Sequence, residues 1–241
     1  LNYLRIFLAE FIGTFLLVYF GCACIHHLSN FLGMSLCFGF VIGAIIQAVG
    51  AISLAHLNPA VTLCFYIFGI ISLPAVFLYV IAECLGAILG AFLLKEMSIF
   101  DAALDSRGTK SDCCTLVGNG VTLGRAFAWE FGLTSFLILI VCSVIHPKTV
   151  TRLDSIGLKF GGVIFILIYT GADYTSTGIN PARTLGPAVV YNEWSDHWIY
   201  WAGPLTGSLV TSVAYHIFCL PKNGQQILKE AIKQQREDYK K

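Results

Sequence analysis

The sequence predicts an all-α membrane protein with six transmembrane helices plus two re-entrant half-helices, arranged as an inverted repeat. Three observations carry this reading. Hydrophobic residues make up 56% of the 241 positions and charged residues 12%, where soluble domains run at about 45–50% and about 25%. Six stretches are long and apolar enough to cross a bilayer core, which takes about 20 residues of helix. The same polar punctuation then interrupts apolar sequence twice, as "HLNPAVT" at 56–62 and "GINPART" at 178–184. A net charge of +1 points to neither nucleic acid nor an acidic macromolecule as a partner.

In chain order, spans are predicted at about 4–25, 33–52, 73–95, 125–146, 158–175 and 197–219. The opening "LRIFLAEFIGTFLLVYFGCACI" has no small-residue cleavage site and reads as a retained helix, in a chain expected to lack its own first residues. Two shorter apolar pieces, about 59–70 and 181–191, follow the Asn-Pro motifs. They are too short to cross alone and read as half-helices that enter and return. A long polar loop, "KEMSIFDAALDSRGTKSDCCTLVGNGVTLG", separates the third span from the fourth.

An even number of spans puts both termini on one side. That side carries Arg5, Lys148, Arg152, Lys159, Lys222, Lys229, Lys233, Arg236, Lys240 and Lys241; the other carries Lys95, Arg107, Lys110 and Arg125. The excess of positive charge marks the termini as cytoplasmic.

The halves repeat. "AEFIGTFLLVYFG" (9–21) matches "AWEFGLTSFLILIV" (128–141), which sets Glu10 against Glu130, and the Asn-Pro motifs fall in corresponding places. Each half holds three spans, so the second copy enters the membrane upside down. In such inverted repeats, paired broken helices meet at mid-membrane. Asn58 and Asn180 suit the N-cap position, and Pro59 and Pro181 suit the first helical position, where a missing N–H goes unnoticed. Both half-helices then aim their positive ends, about half an elementary charge each, at the membrane centre. Ala60 and Ala182 are small enough to let the motifs stack. The two Asn amides are expected to be free of strong capping duty, each presenting an N–H to a lumen.

Nine cysteines invite a disulfide reading, but Cys22, Cys24, Cys37, Cys64, Cys84, Cys142 and Cys219 lie in apolar runs and read as small buried hydrophobes. Cys113 and Cys114, adjacent in the polar loop, are the pair worth testing for oxidation. No Cys/His spacing suits a metal, and His26-His27 reads as a surface pair. Nucleophile, Walker and zincin motifs are absent, so neither enzyme chemistry nor a cofactor is expected.

On "AEFIGTF", "SLAHLNPAVT", "DYTSTGINPARTLGPAVV" and "HWIYWAGPLTG", the chain resembles the aquaporin (major intrinsic protein) family across 4–219. The resemblance implies the aquaporin fold, a water pore in each protomer of a homotetramer, and a plasma-membrane location. It implies a channel domain over 1–219, with repeat one at about 4–95 and repeat two at about 125–219, and a cytoplasmic tail over 220–241. Asn58, Pro59, Ala60, Asn180, Pro181 and Ala182 become the pore motifs. Arg183, a cation inside a membrane segment and therefore functional by default, falls at the outer constriction. Phe38, Ile168 and Thr177 join it there by their distances from the motifs.

The constriction departs from both common patterns of the family. Water-selective members usually carry His where this chain has Ile168, and often Cys at Thr177. Glycerol channels usually carry Trp at Phe38, an aromatic at Thr177, Gly at Ile168 and Asp at Thr184. Tyr200-Trp201 and Ala188 resemble the water class. Insect entomoglyceroporins, which keep Phe and Arg but lose the His, are the most similar pattern. Water is the expected permeant, with glycerol and urea as further candidates.

Two roles stand open for Glu10 and Glu130: proton relays of a pump, or carboxylates that prop the loops leading to the half-helices. The resemblance implies the second. Glu83 replaces a Gln of relatives and is assigned to protonation or to a contact with a neighbouring helix. Gly39/Gly43, Gly86/Gly90 and Gly203/Gly207 sit at the spacing that lets helices approach closely. Ile227, Leu228 and Ile232 form one apolar face of a tail helix. The rival functions are a proton-coupled transporter on an inverted-repeat fold and an adhesion or junction protein with a closed pore.

Overall fold

The structure, a computed structural model, describes residues 3–27, 31–98, 113–150, 155–221, 223–224, 226–228 and 230. Among these residues it is helical, with α1 (Tyr3–His27), α2 (Phe31–Ser53), α3 (Pro59–Ile67), α4 (Leu73–Met97), α5 (Leu123–Ile145), α6 (Ile156–Thr175), α7 (Pro181–Tyr191) and α8 (Ile199–Phe218). Each predicted span has its helix. By length and composition α1, α2, α4, α5 and α6 can cross a membrane. α8 is as long as α6 but is diluted by Gly203, Gly207, Ser208, Ser212 and His216; Gly203 and Gly207 lie against α5 and Ser208 against α3, while Leu209, Val210, Val213 and Ile217 stand exposed.

The first half-helix is shorter than expected, and Gly69 is the reason. Its φ of +67° needs no strain in glycine. There the chain closes a Schellman stop: Gly69 N–H donates to Tyr66 O and Ile70 N–H to Phe65 O. α7 ends on Asn192, also left-handed.

Packing follows the repeat. α1 lies on α4 as α5 lies on α8, and α2 faces α6 across the pseudo-symmetry axis. α3 packs against α8 of the other half, and α7 against α4, so each half-helix is also supported by the opposite copy. At the α2–α6 crossing the backbones nearly touch. A Cβ on Gly39 would lie 2.5 Å from Gly161 O, and one on Gly43 would lie 2.8 Å from Gly157 O. Gly86 and Gly90 meet the α1 backbone in the same way, and Gly203 and Gly207 meet α5.

The polarity is inside-out relative to a soluble bundle. Phe40, Phe77, Ile81, Phe92, Leu158 and Tyr169 stand exposed, while Glu10, Thr14, Glu83, Glu130, Thr134, Arg183 and Ser208 are buried. Lipid can cover the first set, and the second must find partners within the protein.

Three expectations need correction. Cys22 is disulfide-bonded to Cys113, and Cys24 to Cys37; Cys113 therefore does not pair with Cys114, which is buried and outside both disulfides. The apolar setting of Cys22, Cys24 and Cys37 hid a pairing that only the fold brings about, at the end of the bundle where α1 stops and α2 starts. Cys64 and Cys142 do stay buried thiols, with their sulfurs 3.7 Å apart. In the tail, Leu228 is fully buried in the cluster that holds Phe68, Ile145 and Val150, but Ile227 is exposed. Ile232 and the side chains of His26 and His27 lie outside the described residues.

Candidate functional site

The site starts from two loops that enter the half-helices. Before Asn58, the non-glycine residues Leu54, Ala55 and Leu57 adopt left-handed backbone, at φ of +75°, +48° and +55°. Before Asn180, Ser176, Thr177 and Ile179 do the same, at +56°, +50° and +44°. The two sets occupy identical places relative to their Asn, so the repeat reaches down to individual dihedrals. Such residues are unfavourable alone and persist where their surroundings over-determine them.

Two carboxylates do that. Glu10 on α1 accepts from His56 N–H at 3.0 Å through Oε1 and from Leu57 N–H at 2.7 Å through Oε2. Glu130 on α5 accepts from Gly178 N–H at 2.8 Å and from Ile179 N–H at 2.6 Å. Each side chain is fully buried. One carboxylate thus satisfies two amides that non-helical backbone would otherwise leave unpaired inside a membrane protein.

The Asn side chains then join the loops. Asn58 Oδ1 accepts from Ala60 N–H at 2.8 Å, and its Nδ2 donates to Ile179 O at 2.9 Å. Asn180 Oδ1 accepts from Ala182 and Arg183 N–H at 3.0 and 3.2 Å, and its Nδ2 donates to Leu57 O at 2.7 Å. This corrects the expectation that the amides are free of capping. Both are true caps, and the same amides tie the two half-helix tips together. Ser208 on α8 donates to Ala60 O at 2.6 Å and locks the first tip against the second half.

Asn58, Asn180, Phe38, Ile168, Thr177 and Arg183 all line a single cavity. Beyond the Asn pair, Val141, Ile145 and Phe160 continue its wall. At the other end Arg183 Cζ stands 5.7 Å from the Phe38 ring centroid, within cation–π range. Two glycines make room for the Phe38 and Thr177 side chains. A Cβ on Gly21 would meet Phe38 Cε1 at 2.5 Å, and one on Gly171 would meet Thr177 Oγ1 at 2.7 Å. Arg183 itself is held from outside the motif, since its Nη1 donates to Cys113 O at 2.7 Å and its Nη2 to Cys113 Sγ at 3.2 Å. Tyr200 packs fully buried nearby.

Sequence reasoning passed over His56, which lines the cavity next to Asn58. Its ring stacks on Tyr79 at 4.2 Å between centroids, and its Nδ1 lies 3.0 Å from Thr62 Oγ1. Thr62 in turn donates to Glu83 Oε1 at 2.8 Å. Of the two roles expected for Glu83, the contact is therefore present: it steadies the first turn of α3. His56 and Thr62 stand on either side of Asn58-Pro59-Ala60 in the sequence, but they meet only because the non-helical backbone before α3 turns His56 back on its first turn.

Comparisons with known proteins agree with this fold. The family model for the major intrinsic protein matches residues 1–215. Aquaporin-2 of Ovis aries is 34% identical over 222 residues, spanning 90% of this chain and 79% of the relative. Aquaporin-5 of Homo sapiens is 33% identical over 226 residues, spanning 92% and 83%. A probable aquaporin, PIP2-7, of Oryza sativa subsp. japonica is 35% identical over 232 residues, spanning 88% and 78%. In fold, the X-ray structure of the aquaglyceroporin from Plasmodium falciparum superposes with a TM-score of 0.81 at 24% identity, covering 90% of this chain and 98% of that one. With its paired half-helices meeting tip to tip and a family match over most of its length, the chain belongs to the major intrinsic protein family, the aquaporins.

Proposed function

We propose that this protein is a passive pore that passes water and small uncharged solutes and turns back ions and protons. The observation that carries it is the reciprocal pair of bonds, Asn58 to Ile179 O and Asn180 to Leu57 O, which brings two helix N-termini to one point of a cavity. Each Asn amide has a second N–H, and each Asn lines the lumen. A water oxygen crossing there accepts from both amides while two positive dipole ends repel a cation, the arrangement by which aquaporin-type selectivity is generally explained.

Phe38, Ile168, Thr177 and Arg183 form the narrow filter in this reading. Ile168 supplies an apolar wall, and the short Phe38–Arg183 separation favours water over glycerol and urea. Glu10 and Glu130 are props rather than proton relays, since both oxygens of each already hold backbone amides. That argues against the proton-coupled transporter.

The domain limits stay as 1–219 for the channel and 220–241 for the tail. Both disulfides sit at the end of the bundle away from the termini. Disulfides persist on oxidising sides of membranes, so this supports cytoplasmic termini independently of the Lys/Arg asymmetry. A homotetramer in the plasma membrane, surrounded by lipid, completes the proposal from the family resemblance.

The test is stopped-flow light scattering of reconstituted vesicles against sucrose, glycerol and urea. Water efflux should exceed that of protein-free vesicles and depend weakly on temperature. Arg183→Ala should raise glycerol and urea uptake relative to water. Wild-type water flux equal to bare lipid would overturn the reading.

A further inference from the structure

We propose that the Cys22–Cys113 disulfide is part of the selectivity device: by holding the carbonyl that holds Arg183, this one bond makes solute exclusion depend on redox state. The inference rests on the reading of Arg183 as the narrow point of the pore. It adds a positioning pair that no part of that reading requires.

The geometry runs outward from the guanidinium. Cys113 presents both its carbonyl, at 2.7 Å, and its sulfur, at 3.2 Å, to the two terminal nitrogens of Arg183. Two acceptors on one residue fix the plane of the guanidinium as well as its place. Cys113 does this from a left-handed backbone, φ +59°, a conformation that non-glycine residues rarely adopt without support. Downstream its segment is tethered by hydrogen bonds: Leu116 N–H donates to Ser176 Oγ at 3.2 Å, Ser176 Oγ donates to Leu116 O at 3.1 Å, and Gly118 N–H donates to Tyr174 O at 2.9 Å. At Cys113 itself the anchor is covalent. The bond spans 91 positions of sequence with Cα atoms 5.4 Å apart, inside the usual range for a disulfide.

The other end of that anchor lies in the wall of the filter. Cys22 directly follows Gly21, the residue whose missing side chain admits the Phe38 ring. Adjacent residues of α1 therefore set both faces of the constriction, one by leaving space for the aromatic and the other by tying down the partner of the cation. Cys22 and Cys113 are 1% and 9% exposed, so the bond is packed into the protein.

Opening the bond frees that carbonyl. A dithiol reductant attacks one sulfur and forms a mixed disulfide, and its second thiol then closes to a cyclic disulfide. The protein gains two electrons and two protons as two thiols, and the reductant is oxidised by the same amount. Cys113 then keeps only non-covalent ties, and the Arg183 guanidinium loses its fixed acceptor. Water, the smaller permeant, is little affected, while glycerol finds a wider passage.

The experiment compares water and glycerol permeability of reconstituted vesicles before and after dithiothreitol, with alkylation and mass spectrometry scoring each cysteine. Reduction should raise the glycerol-to-water ratio clearly above that of the unreduced vesicles, because a site whose supporting residues loosen loses its geometry. Cys22→Ser and Cys113→Ser should start at the raised ratio and ignore the reductant. The Cys24→Ser/Cys37→Ser double variant should respond as wild type does, which separates the two crosslinks. An unchanged ratio with Cys22 and Cys113 both alkylated overturns the inference, as does their recovery as thiols from protein prepared without reductant. If the serine variants do not fold, the wild-type comparison alone decides. Arg183→Ala separates the two layers. If it raises the ratio and reduction does not, the disulfide brace falls and the filter stands; if it leaves the ratio unchanged, the filter assignment falls.

Discussion

Glu130 accepts two amide hydrogen bonds, from Gly178 and Ile179, on one buried carboxylate. Gln has a single carbonyl oxygen and turns an NH₂ toward the second amide. Glu130→Gln therefore strands one buried N–H, a destabilisation of about 1–3 kcal/mol. Thermal unfolding of the detergent-solubilised protein should start at a lower temperature than wild type, and Glu10→Gln should behave alike because its register is the same. Equal melting of wild type and both variants would show that the loops need no such prop. At this scale the sequence was legible wherever a residue acts through its neighbours in the chain. Asn-Pro-Ala marks a cap, and Glu10 and Glu130 align by simple comparison. It was silent on Cys22 and Cys113, because their pairing depends on the polar loop returning to the end of α1. It also missed where the Asn amides donate, since Ile179 O and Leu57 O lie in the opposite half of the chain, and it undervalued their local Oδ1 caps to Ala60, Ala182 and Arg183 N–H.

Helices α2 and α6 touch through glycine, and the spacing of Gly39 and Gly43 announced a close contact without naming the partner. Gly43→Val places a Cβ 2.8 Å from Gly157 O. Overpacking of this kind destabilises by about 1–3 kcal/mol, and the melting temperature in detergent should fall accordingly. The connection from α7 to α8 makes a different prediction. His197 is half-buried, its Nε2 accepts from Trp201 Nε1 at 3.2 Å, and burial holds its pKa below the usual value of 6.5. The folded state therefore favours the neutral ring. Stability is indifferent to pH well above 6.5 and falls as the solution is acidified through and below that value. Hydrogen exchange at 197–201, corrected for its intrinsic pH dependence, should show weaker protection at pH 5 than at pH 7, and His197→Gln should remove the difference. Element boundaries were read to within a few residues. The one sizeable miss, the end of α3, came from overlooking Gly69 as a stop.

Across the whole molecule, the inverted repeat makes each half incomplete without the other. α3 leans on α8, α7 leans on α4, and the two tips exchange hydrogen bonds at the centre. This global symmetry was legible because both copies retain the same polar punctuation in otherwise apolar sequence. Phe38, Ile168, Thr177 and Arg183, singled out from the sequence, line one cavity with the Asn pair; the room beside Phe38 and Thr177 and the hold on Arg183 were not legible, because Gly21, Gly171 and Cys113 lie outside the motifs. In the proposed reading, two opposed helix N-termini at mid-membrane let water through and stop protons. Osmotic water flux and proton flux followed on the same vesicles, reconstituted with the protein and loaded with a pH-sensitive dye, decide it. Water permeability should lie well above that of protein-free vesicles, with proton permeability equal to theirs. Proton flux rising together with water flux, or no gain in water flux, would contradict it.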